Sequence, residues 1–383
     1  MRRCVLAGIL LVAVCAPAAS ANVRPGPSGA AFYTPPSSLP AGKHGTSIWW
    51  RGLSGQAALK GGGANRLLLY RSTGVDGKPT AVSGVLTVPK GKAPARGWPI
   101  VTWAHGTTGI ADSCAPSRSN LQGGYDHPLL QRWLKAGYAI VRTDYEGLGT
   151  PGPHPYLNGV SEGRSVLDAV LAARHADPGI GKDVVIAGHS QGGQAALFAA
   201  ALANKWTPSL KIRGTVAFAP VSHLSQQATA LAGVGTTSLT SLAALILRGI
   251  DVANPGLGMQ ALLTPQAAAL YPQTDTTCLP DLSKPGSFGG LPTSQLITPG
   301  ANIAPIVAAL AADDDPEGLK ITTPLQIEQG SADTTVFPVF TQQTASALKA
   351  TYKTYDGLNH GTVVTAAKPQ ADATAFVKRR LGY

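Results

Sequence analysis

The spacing of hydrophobic positions changes along the chain. Residues 66–73 (RLLLYRST) and 80–89 (TAVSGVLTVP) are β-rich runs on either side of a Gly/Pro turn, GVDGKP, and predict an antiparallel hairpin. Residues 98–106 (WPIVTWAHG) are apolar on both faces, as a strand covered from two sides must be. From there apolar runs alternate with helical periods. Helices are predicted at 127–136 (opening with Pro128 in the first turn), 161–176 and 191–203, and strands at 138–144, 182–190 and 212–220. Such β-α-β-α alternation after an antiparallel start predicts an α/β fold with a mainly parallel central sheet and helices on both faces.

Residues 221–300 break the rhythm. They are apolar but irregular, with helical stretches near 224–250 and 259–270, a Pro/Gly-rich run after them, and no evident strand. They are expected to form a mostly helical cap inserted over the sheet. The alternation then resumes with a helix at 303–312, a strand at 324–330, a helix from Pro338 to Ala350, a strand at 351–357 and a last helix ending near Leu381. Residues 22–62, rich in Pro, Gly and Ser, are expected to be a lead-in with little regular structure outside Ile48–Arg51. The expected organisation is therefore lead-in, first core part (63–220), cap (221–300) and second core part (301–383).

The first 21 residues read as an export signal. Arg2 and Arg3 precede a 12-residue apolar stretch, 5–16, which is too short for a comfortable membrane span, and Ala19-Ser20-Ala21 offers a cleavage site. The protein is thus expected outside the cytoplasm, extracellular or periplasmic. A lipidated Cys15 is the competing reading, disfavoured because the preceding VAV lacks a small residue just before the cysteine. Cys4 and Cys15 leave with the signal, and the two that remain, Cys114 and Cys278, read as one disulfide in an exported chain; two free thiols are the alternative.

Composition narrows the function classes. With 44% hydrophobic and only 13% charged residues the 383-residue chain has ample core and is not a disordered polymer. The formal charge is +11, but the basic residues do not cluster except at Lys378-Arg379-Arg380, so nucleic acid is not an expected partner. No His/Cys/Asp cluster has metal-ligand spacing, and neither a metal nor an organic cofactor is expected. Oligomeric state is not legible.

The chemistry concentrates at Gly188-His189-Ser190-Gln191-Gly192, a G-x-S-x-G sequence. A buried strand runs into it and a small-residue helix runs out. That context marks a nucleophile elbow, where Ser190 sits on a strained turn and Gly188 and Gly192 let strand and helix approach. The elbow specifies an α/β-hydrolase fold, in which the acid and then the histidine follow the serine in sequence. Two histidines follow. His360, in a DGLNHG loop after the last strand, fits the base; His223 comes before any later strand has placed an acid. His189 adjoins the serine and is aimed away from it. Asp333, three residues past the strand at 324–330, fits the orienting acid. Glu328 lies inside that strand, Asp313–Asp315 read as a solvated acidic cluster, and Asp356 is too close along one loop. An oxyanion hole needs two backbone donors: Gln191, directly after the nucleophile, and a second from the HGTTG loop at Thr107 or from Asp144 at the end of the next strand.

With these residues in view the chain resembles the secretory lipases. The likeness is carried by DSCAPS (112–117), HPLLQRWLKAGYAIVRTDYEGLG (127–149), the helix beginning SEGRS, the elbow GHSQGG, and the Asp333 and His360 loops, from about 105 to 365. It implies hydrolysis of acyl esters, a triad of Ser190, Asp333 and His360, an apolar lid, and contact with a lipid or small-molecule ester, possible at a lipid–water interface. It also implies a backbone oxyanion donor at Asp144. The HGTTG loop departs from that pattern and leaves the donor open between Asp144 and Thr107. A peptidase or acyltransferase on the same fold, or a non-catalytic binder of hydrophobic ligands, are the competing readings.

Overall fold

A computed structural model of the chain describes residues 24–119, 124–233 and 235–382. The export signal expected at 1–21 lies outside them. One ten-stranded sheet runs through the molecule. Its strands are β1 (Arg24–Pro25), β2 (Ser47–Gly52), β3 (Ala64–Thr73), β4 (Pro79–Val88), β5 (Trp98–Ala104), β6 (Ala139–Thr143), β7 (Ile180–His189), β8 (Lys211–Phe218), β9 (Leu325–Gly330) and β10 (Thr351–Tyr355). Their spatial order is β1-β2-β3-β4-β6-β5-β7-β8-β9-β10. The expected hairpin is β3 with β4, antiparallel in register from Ala64↔Val88 to Thr73↔Pro79. Every pairing from β6 through β10 is parallel.

Alternation along β7 shows why its sequence is continuously apolar. Val184 and Ile186 pack with helices α2 (Gly159–Ala176) and α3 (Gln191–Trp206), while Val185 and Ala187 face the opposite cluster. That second cluster holds the stripe Leu129, Leu130, Trp133 and Leu134 of α1 (His127–Lys135), and Phe376 and Val377 of the C-terminal helix. Period two in the strands and a one-sided stripe in α1 meet in the same core. Helix α2 is capped by Asn158, whose side chain accepts from Ser161 N at 3.1 Å.

The segment between β8 and β9 contains α4 (Leu224–Gly233), α5 (Thr240–Ala253) and shorter helical turns up to Asp314. It has an apolar cluster of its own, from Leu224 to Leu310, resting on Ile110, Tyr156 and Leu157 of the sheet-end loops. Among the described residues its strand content is one isolated bridge, Leu263↔Ile297. The two ends of the insertion are tied together: Asp315 accepts from Leu224 N at 2.6 Å and Ser225 N at 3.2 Å. Cys114 and Cys278 are joined, linking the insertion to the loop after β5, and beside them Leu279 N donates to Thr108 O at 2.9 Å.

The lead-in has little regular structure outside β2, but it is packed against the core. Phe32 and Tyr33 are buried against Leu69 and Val85 of the hairpin, and His44 Nδ1 lies 2.6 Å from Asp168 Oδ1 on α2. Isolated aromatics in a Pro/Gly-rich stretch carry no periodicity, so only the strand around Ile48–Arg51 was visible. The acidic cluster is also different: Asp314 is buried, not solvated, and burial with its acidic neighbours pushes its carboxyl up, while Asp315 holds the start of α4.

Candidate active site

β7 ends at His189 and α3 starts at Gln191, so Ser190 alone makes the turn. Its backbone sits at φ 59° and ψ −120°, a region costly for a residue with a side chain, on the order of 1–3 kcal/mol. Surrounding hydrogen bonds enforce it: Ser190 N donates to Phe218 O at 2.9 Å, and Ser190 O accepts from Gln194 N at 3.1 Å. The flanking glycines have no room for a side chain. A Cβ on Gly188 would stand 2.0 Å from Gly192 O, and one on Gly192 1.9 Å from Ala104 O.

Asp333 follows β9 and His360 follows β10. The two meet, with His360 Nδ1 2.8 Å from Asp333 Oδ2. The carboxylate only accepts, so Nδ1 carries a proton, and in the neutral ring Nε2 keeps its lone pair. Gln329 Nε2 donates to the same oxygen at 3.0 Å, and Thr335 N and Val336 N donate to Oδ1 at 2.8 and 2.9 Å. Burial pushes the Asp333 carboxyl up, but His360 and these backbone donors outweigh it and hold it below its ordinary value. Ser190 and His360 line one cavity of about 490 Å³, together with Gly106, Thr107, Tyr125 and His189.

The rejected candidates are engaged elsewhere. His223 Nε2 lies 3.3 Å from Glu317 Oε1. Glu328 accepts from Gln326 and from the Tyr355 hydroxyl, and Asp356 from Ser331. Of the two second-donor candidates, Thr107 lines the Ser190 cavity. Asp144 does not: its backbone N–H donates to Ser83 O at 2.9 Å, and its carboxylate accepts from the Ser83 hydroxyl at 2.6 Å and from Ser117 N at 3.0 Å. Asp144 thus joins β4 to the segment after the disulfide loop, against the role the resemblance implied.

Three further features escaped the sequence. Gln191 is locked by its side chain, Nε2 donating to Glu162 Oε1 at 2.7 Å and to His154 Nε2 at 3.1 Å. Burial pushes Glu162 up to about 8 and His154 down to about 3. His189 contacts the His360 loop. Finally, a narrow cleft of about 70 Å³ leads from Ser190 between Leu157, Leu224, Ala243 and Ile246. It shares Leu224, Ala243 and Ile246 with an apolar cavity of about 80 Å³ inside the insertion, lined by Ile297, Ile303, Ile306 and Leu310. None of these has a local motif, because each depends on residues far apart in the chain.

The family model that matches is that of the secretory lipases, over residues 115–284. Lipase A of Moesziomyces aphidis is 30% identical over 202 residues, covering 50% of this chain and 42% of that protein. A protein of Mycobacterium tuberculosis named a probable inactive lipase is 28% identical over 244 residues, covering 60% of this chain and 53% of its own. The chain spans about half the length of the curated relatives it matches. Among solved structures, lipase A of Candida antarctica in its closed state superposes with a TM-score of 0.72 at 22% identity, over 90% of this chain and 86% of that one. A rice cell wall degrading esterase of Xanthomonas oryzae does so with 0.70 at 21%, over 89% and 99%. The fold is the α/β-hydrolase fold.

Proposed function

We propose that this protein hydrolyses carboxylic acyl esters through Ser190, His360 and Asp333. The observation that carries the reading is the joint arrangement of a strained serine elbow and a histidine, oriented by a buried carboxylate at 2.8 Å, on one cavity. His360 Nε2 takes the Ser190 proton as Oγ attacks the ester carbonyl. The tetrahedral oxyanion is held by the N–H of Gln191, free of an intrahelical partner at the start of α3, and by that of Thr107. Collapse breaks the C–O bond, and the His360 imidazolium returns the proton to the departing alcohol. Water, deprotonated by His360, then attacks the acyl-serine, and the imidazolium returns that proton to Ser190 Oγ as the acid leaves, while Asp333 stabilises each imidazolium. No metal or cofactor enters these steps.

The acyl chain would run from Ser190 along the cleft into the apolar cavity of the insertion, which would act as a cap. Each methylene buried there adds up to ~0.8 kcal/mol, so medium or longer acyl esters should be preferred over acetate. Export is supported by the 1–21 signal pattern, by the disulfide and by the family's secretory character, and among the described residues no helix is long and apolar enough to cross a membrane.

The relative named inactive gives weight to one rival, a hydrolase fold that binds esters without turning them over. Fluorophosphonate labelling combined with turnover of C2 to C12 nitrophenyl esters separates the two. Label on Ser190 with turnover is expected; binding without label or turnover would establish the rival. Turnover of peptides or acyl transfer to alcohols in preference to ester hydrolysis would reassign the bond. A steady fall in kcat/KM from C2 upward would reject the acyl path alone.

A further inference from the structure

The residue just before the nucleophile is not spare. His189 is buried and lines the cavity with Ser190 and His360. Its Nε2 lies 2.9 Å from the carbonyl oxygen of His360, and its Nδ1 lies 2.9 Å from the hydroxyl of Tyr125. A carbonyl oxygen only accepts, so Nε2 carries the hydrogen. In the neutral ring Nδ1 then accepts, and the Tyr125 hydroxyl must donate to it. That hydroxyl is in turn bonded by the backbone of Gly106, the residue before Thr107. The donors therefore run in one direction, from the loop after β5, through Tyr125 and His189, to the loop that carries His360.

We propose that Tyr125 and His189 form a positioning pair that holds the backbone of His360, and so its imidazole, in register with Ser190 and the oxyanion loop. The proposal rests on the triad assignment above. Neither residue takes or gives a proton in the reaction. Together they fix the one part of the base that Asp333 does not reach: Asp333 sets the ring through Nδ1, and His189 sets the main chain. The loop is otherwise held by the Asn359 side chain, which accepts from Gly361 N at 3.1 Å and Thr362 N at 3.0 Å, and on its other flank by Ala332 N, which donates to Leu358 O at 2.9 Å, and Gly357 N, which donates to the Ser331 hydroxyl at 2.9 Å.

The pair must also stay neutral. The rings of His189 and His360 are 4.6 Å apart, and a cation at His189 would oppose the imidazolium that His360 becomes during turnover. Burial first, and the neighbouring His360 second, push His189 down to about 3. Burial also raises the Tyr125 hydroxyl well above its ordinary value, which keeps it a donor. The titratable groups facing His189 are Tyr125, His360 and, behind His360, Asp333.

The test uses the full mature protein and a soluble nitrophenyl ester. His189→Leu keeps volume and removes both bonds, and His189→Gln restores a donor towards the His360 carbonyl. Tyr125→Phe deletes only the hydroxyl. His189→Leu should lower kcat about 10–100-fold with KM within about twofold, the scale of a base displaced by a fraction of an ångström. His189→Gln should recover most of that loss. Tyr125→Phe should lower kcat about threefold or more and shift the acid limb of the pH–kcat/KM profile, and it should add nothing in the His189→Leu background. Folded variants with parent kcat and pH profile, or a glutamine no better than leucine, would overturn the proposal. If His189→Leu does not fold, an unchanged pH profile in Tyr125→Phe overturns it by itself. Ser190→Ala and His360→Ala run alongside. Turnover surviving in those two sinks the triad assignment, whereas their inactivity beside a harmless His189→Leu sinks only the positioning pair.

Discussion

The C-terminal ends of the parallel strands and the insertion between β8 and β9 treat side chains in opposite ways. At the strand ends the site side chains are held by directional bonds. Asp333 takes four donors, Gln191 gives both amide hydrogens, and His189 uses both nitrogens. The interior of the insertion is dominated by an apolar cluster of Leu, Ile, Ala and Phe, with a few polar bonds such as Ser241 to Ser283 at 2.9 Å. Directional bonding fixes atoms to fractions of an ångström, which bond-making demands. Apolar packing sets only volume and shape, which suits the recognition of a chain of methylenes. The two regions also differ in tolerance: a volume-conserving change is mild in an apolar cluster and severe in a satisfied polar network.

The largest expected effect lies at the strand ends. Ser190→Ala and His360→Ala should each lower kcat/KM by ~10⁴-fold or more, with the double variant little worse, because the triad acts as a unit. Asp333→Asn should be milder. Measured with a short ester, losses that simply add would break the picture of one cooperating network.

Next comes the covalent link between the regions. Replacing Cys114 and Cys278 with serine opens a closure of 164 residues. The expected stability loss is about 2–5 kcal/mol, read as a lower denaturation midpoint. An unchanged midpoint would mean that the insertion is held by its apolar contacts alone.

A smaller effect belongs to the insertion itself. Ala243 lines both the cleft and the apolar cavity. Ala243→Trp should lower kcat/KM for C8 to C12 esters about 10–100-fold, the worth of two to four excluded methylenes, and leave acetate within about threefold. Equal losses on short and long esters would show that the insertion does not sort acyl chains.

The smallest is a pH effect on stability. Burial raises Glu162 to about 8, against about 4.5 in the unfolded chain. Between those values the folded protein holds a proton that the unfolded chain has lost, so this residue's contribution falls as pH rises from about 4.5 to about 8 and is flat above. Glu162→Gln, which mimics the protonated acid, should flatten the fall in melting temperature across that window by a few degrees. A slope identical to the parent's would remove Glu162 from the account.

What could be read from the amino-acid order followed the same division. The elbow was visible because Gly188, Ser190 and Gly192 are locally spaced on a strand–helix junction, and Asp333 and His360 because each follows a strand. Thr107 and Asp144 could not be separated, since the difference is a bond from Asp144 N to Ser83 on another strand. The role of His189 was missed for the same reason: its partners are 64 and 171 residues away. Phe32 and Tyr33 lay in a stretch whose composition suggested looseness, and only tertiary contact with the hairpin shows them as anchors. The insertion's helices were seen where their runs were long. Its inner cavity was not, because no periodicity encodes an empty volume.

The Cys114–Cys278 bond gives any opening of the insertion a fixed fulcrum. One end of the insertion is tethered at Asp315 and its far side is pinned beside Thr108, so it cannot lift away as a detached body. The Leu279–Thr108 bond beside the sulfur bridge places that fixed point one residue from Thr107. A displacement of the insertion at that point would pull on the loop after β5, which brings Thr107 to the Ser190 cavity. On the function proposed above, admission of substrate and placement of the Thr107 amide would thus be geared together, like a door whose hinge pin also carries the latch.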